Sequence, residues 1–300
     1  MKTFLIYSFC KINLSLRVIE KLRTGLHKIQ SIVTFVNLFD IIKIKEINSK
    51  QDQIKFYGKF KHNINLKTNT ISKTLDLLRK NNYLKKKKFK IYIKKNIPHS
   101  AGLGGGSMNS AALIKFFLST YKLNINQRKL YKIANKIGSD VSLGFEIRNT
   151  FLMGDKKYLK RFKGKLKLHV VLANPGIKCL SKDIYSKNKQ FSNSYQKKIN
   201  SNFQKLFGLN NIKLDRNDLE QVVFKLYPKI KTLNTFIKEQ ENCIFSRLTG
   251  SGSTCVGYFN SLKSAQKAKK NIINIPNLEY IQIISDFWLR CFSLANHPKY

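Results

Sequence analysis

Acidic side chains are scarce in this chain: 16 Asp and Glu stand against 57 Lys and Arg, a formal charge of +41 at pH 7. Arginine is scarce too, since nine of the basic residues are Arg and the other 48 are Lys. Arg carries the planar fork that reads phosphates and bases in pairs of hydrogen bonds, so a surface tuned for nucleic-acid recognition is not expected. Lysines run from Lys2 to Lys299 among many Asn and Ile, the pattern of codon drift toward A and T, and nonspecific polyanion binding is at most a by-product of the field. The five cysteines, Cys10, Cys179, Cys243, Cys255 and Cys291, are odd in number and far apart in apolar contexts, which argues against a disulfide framework and a zinc site. No apolar run reaches the roughly eighteen residues of a membrane span, and Met1 to Cys10 lacks the basic start and cleavage signal of a leader. A cytoplasmic protein without a membrane partner is the expectation. No G-x-x-x-x-G-K-[ST] motif occurs, and Ser107 stands where a Rossmann turn needs its third glycine.

What is present is an apolar content of 42%, with 21 Phe and 13 Tyr, enough for one large or two medium domains over 300 residues. Four of the 15 glycines fall in Pro98-His99-Ser100-Ala101-Gly102-Leu103-Gly104-Gly105-Gly106-Ser107. Upstream, Phe89 to Ile97 reads as a strand, with Ile91 and Ile93 alternating against lysines. Downstream, Ala111, Ile114, Leu118 and Tyr121 recur at helical spacing. A glycine turn between strand and helix lets a ligand approach the backbone where the helix offers unpaired N–H groups and its positive dipole end. It is a phosphate cradle or a tight structural connection.

Phe4 to Val18 reads as a strand on which Lys11 and Asn13 share a face, with Lys11 either at a wet edge or in a cleft. Arg23 to His27 forms a turn, and Ile29 to Phe39 a strand closing at Asp40. Asn48 to Lys59 reads as a charged connection, Asn69 to Asn81 and Asn126 to Lys136 as helices, and Val141 to Phe145 as a strand entered through Asp140, which alone could cap a turn. A domain boundary is expected within Gly154 to Lys165. Beyond it, Leu166 to Ala173 is a strand, Asn174-Pro175-Gly176 a turn, Tyr195 to Phe207 and Tyr227 to Gln240 helices, Asn217 to Glu220 a helix start, and Ile244 part of a strand. Arg247 to Val256, with Gly250 and Gly252, is a second glycine turn, in a hairpin or a strand-loop-helix connection.

The order Lys11-x-Asn13-Leu14, then Arg23-x-Gly25-x-His27, then Ile97-Pro98-x-x-x-Gly102-Leu103-Gly104-Gly105-Gly106-Ser107 resembles the GHMP kinase superfamily, from about Phe9 to Phe259. The resemblance implies an α+β fold of two domains, residues 1–160 like domain 2 of ribosomal protein S5 and residues 161–300 ferredoxin-like. It implies ATP on Pro98, His99, Ser100, Ala101, Gly102, Leu103, Gly104, Gly105, Gly106, Ser107 and Met108, with Mg²⁺ accompanying the nucleotide and no metal ligand assigned. Asp140, in a Gly-x-Asp-Val segment, is implied as the base, with Lys11 beside it stabilising charge on the transferring group.

The branch most resembled phosphorylates an alcohol linked to cytidine diphosphate. It implies Asn13, His27, Tyr185, Gly250 and Gly252 on the substrate side, His27 bonding the base and Tyr185 stacking on it. Thr24, Leu26 and Met108 depart from the family pattern at an aspartate, a tyrosine and a serine. The partner implied is a small molecule, bound by a monomer or weak homodimer. A kinase of another small alcohol, of homoserine or mevalonate type, and a basic polyanion-binding protein on a degenerate kinase scaffold are the alternatives.

Overall fold

A computed structural model describes residues 2–62, 64–66, 68–154, 158–162, 167–195, 207–275 and 278–288. Two long antiparallel strands, β1 (Thr3–Lys21) and β2 (His27–Ile47), form its spine, joined by a turn in which Leu22 N donates to Leu26 O at 2.8 Å and Gly25 sits at φ 79°. β2 carries β1 on one side and, on the other, β4 (Lys88–Lys94) at one end and β5 (Asn149–Gly154) at the other. β3 (Gln53–Tyr57) pairs parallel to β4, and β6 (Tyr158–Phe162) antiparallel to β5.

Three helices cover this sheet. α1 (Thr70–Lys80) starts where the Asn69 side chain accepts from Ile71 N and Ser72 N, and its stripe of Ile71, Leu75 and Leu78 is buried. α2 (Gly105–Thr120) and α3 (Gln127–Ile137) close a core of Ile42, Ile44, Phe89, Ile91, Phe117 and Ile133.

The second sheet has the order β10-β7-β9-β8, built from β7 (Lys167–Asn174), β8 (Cys243–Leu248), β9 (Cys255–Phe259) and β10 (Tyr280–Trp288), with every neighbour antiparallel. That is the order expected of a ferredoxin-like domain. Around it lie α4 (Ser181–Ser186), α5 (Leu209–Leu214), α6 (Leu219–Leu226), α7 (Pro228–Lys238) and α8 (Leu262–Ile272). The two halves are bound through the middle of β1. Leu16 N donates to Arg216 O, Asp218 N to Leu16 O, and Val18 N to Asp218 Oδ2, between 2.8 and 2.9 Å. The buried Arg247 guanidinium donates to Leu14 O, Ile212 O, Lys213 O and Asp215 O, so one cation satisfies four carbonyls from two chain segments.

Two expectations are corrected. Val141–Phe145 is a 3₁₀ turn and not a strand, with Val141 N donating to Gly138 O and Leu143 N to Asp140 O. A short apolar run with a β-branched residue does not distinguish the two by period. Packing decides here, because Gly144 lies against α2 so closely that a Cβ would stand 2.6 Å from that of Ala111. The connection Asn48 to Lys59 contains β3, whose Ile54 and Phe56 face the helices. Within the stretch Gly154 to Lys165, where the domain boundary is expected, β6 carries the first sheet through Phe162, and the second sheet starts at Lys167. Of the helix expected from Tyr195 to Phe207, residues 196–206 lie outside the described residues, as does Cys291.

Candidate active site

α2 begins without a side-chain cap. Gly104 takes the N-cap position at φ 71°, in the left-handed region where a Cβ is costly, and Met108 N makes the first intrahelical bond, to Gly104 O at 2.9 Å. The amides of Gly105, Gly106 and Ser107 therefore have no partner within the helix and aim along its positive end. A Cβ on Gly104 would meet Lys11 Cγ at 2.9 Å, so the lysine chain lies against the loop. Lys11 N also donates to Leu103 O at 3.2 Å.

Lys11 is only 4% exposed. Its ammonium donates to Asn13 Oδ1 at 2.6 Å and stands 3.8 Å from Asp140 Oδ2. Alternation on β1 puts lysine and asparagine on one face, as expected, and the face is a cleft and not a wet edge. Asp140 reaches it because α3 ends at Gly138 and the 3₁₀ turn follows. Ser107 Oγ lies near the same corner, 3.3 Å from where a Gly138 Cβ would be.

The second glycine turn, between β8 and β9, packs on the first by backbone. A Cβ on Gly102 would stand 1.9 Å from Thr249 O, and one on Gly250 would stand 3.1 Å from Gly102 O and 3.3 Å from Lys11 Nζ. Thr254 N donates to Ala101 O at 3.3 Å. Thr249 Oγ1 accepts from Asn13 N at 3.0 Å and lies 3.3 Å from Gly102 O. Lys11 is thus enclosed by both turns and Asp140.

His27 and Tyr185 come together on the same side, ring centroids 5.3 Å apart and tilted by 39°. Burial, and then the charge of Asp140, pushes the Tyr185 phenol up. Burial, and then repulsion from Lys21, pushes the His27 imidazole below its usual value. His27 Nε2 is buried with no hydrogen-bond partner, an arrangement that costs about 1–3 kcal/mol and that a ligand's polar edge would relieve. Leu26, at the tip of the same turn, is 62% exposed.

Two sequence models match the chain, GHMP kinases N terminal domain over residues 69–146 and GHMP kinases C terminal over residues 197–275. The chain is 42% identical over 268 residues to a protein of Pelagibacter ubique named 4-diphosphocytidyl-2-C-methyl-D-erythritol kinase, covering 89% of this chain and 93% of that one. It is 33% identical to a protein of the same name from Wolbachia pipientis, covering 91% and 94%. The chain belongs to the GHMP kinase family. Among solved structures, a 4-(cytidine 5'-diphospho)-2C-methyl-D-erythritol kinase superposes with a TM-score of 0.76 at 19% identity, over 94% of this chain and 99% of that one. Homoserine kinase from Cytophaga hutchinsonii superposes at 0.67 with 15% identity, over 95% and 96%.

Within the kinase, the other residues expected on the nucleotide and substrate sides lie as follows. The Met108 side chain is 2% exposed in the core under Gly144, and its amide is used within α2, so it offers a nucleotide neither group. Pro98, Ala101 and Leu103 are buried as supports of the loop. His99 bonds His62 O through Nε2 at 2.9 Å, and Ser100 is exposed at φ 53°. Gly252 N donates inside its own turn, to Thr249 O at 3.0 Å, and a Cβ there would lie 3.5 Å from Cys179 Sγ.

Sequence reasoning missed Thr249, which joins both glycine turns to Asn13, and the buried Lys95 and Asp40 beneath the loop. Thr249 carries no local signal. Lys95 and Asp40 do, because each continues the inward phase of its strand, after Ile91 and Ile93 in one case and between Leu38 and Ile42 in the other.

Proposed function

We propose that the kinase transfers the γ-phosphoryl group of ATP to the 2-hydroxyl of 4-diphosphocytidyl-2-C-methyl-D-erythritol, a step in non-mevalonate synthesis of isopentenyl diphosphate. The observation that carries the chemistry is Lys11, lying against Gly104 of the phosphate cradle with its ammonium 3.8 Å from the Asp140 carboxylate. The alcohol is the one in the names of the relatives, and the buried, unpartnered His27 Nε2 beside Tyr185 supports a site built for a heteroaromatic base.

The open amides of Gly105, Gly106 and Ser107 hold phosphate oxygens. Asp140 orients the substrate hydroxyl and takes its proton as the oxygen attacks phosphorus, the bond to the β–γ bridging oxygen breaks, and ADP leaves. Lys11 neutralises charge on the group in flight, in a pocket where burial strengthens the interaction. Gly250, packed on Gly102, keeps water from the reacting atoms, and Asn13 holds the lysine in place. No cluster of three metal-ligating side chains occurs among the described residues. Asp140 is the carboxylate that would stand beside a Mg²⁺ ion brought with the nucleotide, and the ion would neutralise phosphate charge when bound.

The test is ADP release with the diphosphocytidyl alcohol, compared with homoserine, mevalonate and galactose. Turnover is expected with the first. Turnover with another alcohol alone would overturn the substrate, and no turnover with any, together with tight salt-sensitive RNA binding, would overturn the kinase chemistry.

A further inference from the structure

Asp40 is fully buried in the middle of β2, and four donors converge on its carboxylate. Asn96 N and Ile97 N donate to Oδ1 at 2.8 and 2.9 Å, Asn109 Nδ2 donates to Oδ2 at 3.0 Å, and Lys95 Nζ pairs with Oδ2. Lys95 is 3% exposed, so the ion pair is buried beneath the loop. The donors come from separate supports of the cradle. Residues 95–97 lead from β4 into the glycine loop, and Asn109 is on α2 just past its open end. Gly105 leans on the same group, since a Cβ there would stand 3.0 Å from Ile97 Cγ2 and 3.4 Å from Lys95 Nζ.

A buried ion pair is a weak source of stability, because desolvation offsets the attraction and apolar side chains fill such space as well. What an apolar residue cannot do is accept bonds from a strand end, a loop and a helix at once. We infer that Asp40 is a positioning residue for the phosphate cradle, its buried carboxylate tying Lys95, Asn96 and Ile97 before the loop to Asn109 on α2. The tie holds Gly105 and the open amides of α2 in the register that meets the nucleotide's phosphates. The inference rests on the ATP-binding role proposed above for that loop.

The experiment is Asp40→Asn in the full chain. The substitution keeps the volume but turns an NH₂ group toward donors that need an acceptor. The expected result is a rise of roughly tenfold or more in KM for ATP, and in Kd for a non-hydrolysable ATP analogue, with KM for the alcohol unchanged. A role confined to stability would lower Tm and the active fraction, moving kcat and neither KM. Should the single variant fail to fold because Lys95 is left unpaired, the double variant Asp40→Asn with Lys95→Met removes that charge and is expected to show the same ATP-specific loss. Asn109→Ala, which cuts only the tie to α2, should show a smaller one. Folded variants with wild-type ATP affinity, or with equal losses for both substrates, would overturn the inference. Wild-type protein that binds no ATP analogue would overturn the role of the loop and this inference with it.

Discussion

Gly102→Ala tests the contact between the two glycine turns. The new Cβ would stand 1.9 Å from Thr249 O, 2.9 Å from Thr249 C and 3.2 Å from Gly252 O, where ordinary contact begins near 3.4 Å. All three neighbours are backbone, so no side chain can rotate away, and the turns must part by about 1.5 Å at the worst contact. Gly102 also lies at φ 77°, which costs an alanine about 1 kcal/mol. Adding an overpacking term of about 1–3 kcal/mol gives a loss of roughly 2–4 kcal/mol, or about 3–6 °C in Tm for a chain of this size. The functional loss should be larger in proportion, since parting the turns moves Gly250 off Lys11. Displacements near 1 Å cost about a hundredfold in rate. Thermal melts with a coupled ADP-release assay measure both. Gly154→Ala is the control, at φ 84° but with nothing within 4 Å of the added Cβ, so it should lose some Tm and keep its kcat/KM. Gly102→Ala with the activity and Tm of the control would refute a closed backbone contact between the turns.

Asp140→Asn should lower kcat by roughly 10²–10⁴ while leaving the Kd of an ATP analogue within a few-fold, as read by calorimetry; unchanged turnover would move the base elsewhere. Lys11→Met should lower kcat on a similar scale, because it removes the ammonium 3.8 Å from Asp140, and a wild-type kcat would remove Lys11 from the chemistry. Glu220, on α6, accepts from Leu248 N at 2.7 Å behind the second glycine turn, and burial pushes its carboxyl up to about 7 from an ordinary 4.5. Its folded pKa lies above its unfolded one, so its contribution is full below pH 4.5 and is lost as pH rises through 7. Glu220→Gln should flatten that decline and raise stability at pH 8 by at most roughly 3 kcal/mol, measured by urea unfolding across pH; parallel wild-type and variant curves would contradict it.

Much of the fold and part of the site was legible locally. Asn69 before a stripe of Ile71, Leu75 and Leu78 predicts α1, and the four glycines after an alternating strand predict the open start of α2, because caps and periodicity act over a few residues. Lys11 and Asn13 share a face by the two-residue period of any strand. Legibility failed where a tertiary neighbour overrides a short pattern. Val141 to Phe145 has the composition of a strand, and Gly144 turns it into a 3₁₀ segment by its fit against Ala111. Lys95 and Asp40 were visible in phase, but Lys95 is one of 48 lysines spread along the chain.

By itself, the sequence determined the chemistry available: a glycine loop with unpaired amides, a lysine and a carboxylate of the GHMP pattern, and enough apolar residues for two cores. Only the tertiary structure decided that Gly250 and Thr249, some 150 residues beyond Gly102, close onto it by backbone contact. Only the tertiary structure set Asp140 beside Lys11 and brought His27 to Tyr185. The reason is that helical periodicity, strand phase and capping are set by neighbours a few positions away. A contact between distant turns depends on how two sheets dock along β1, and no local stretch of chain encodes that.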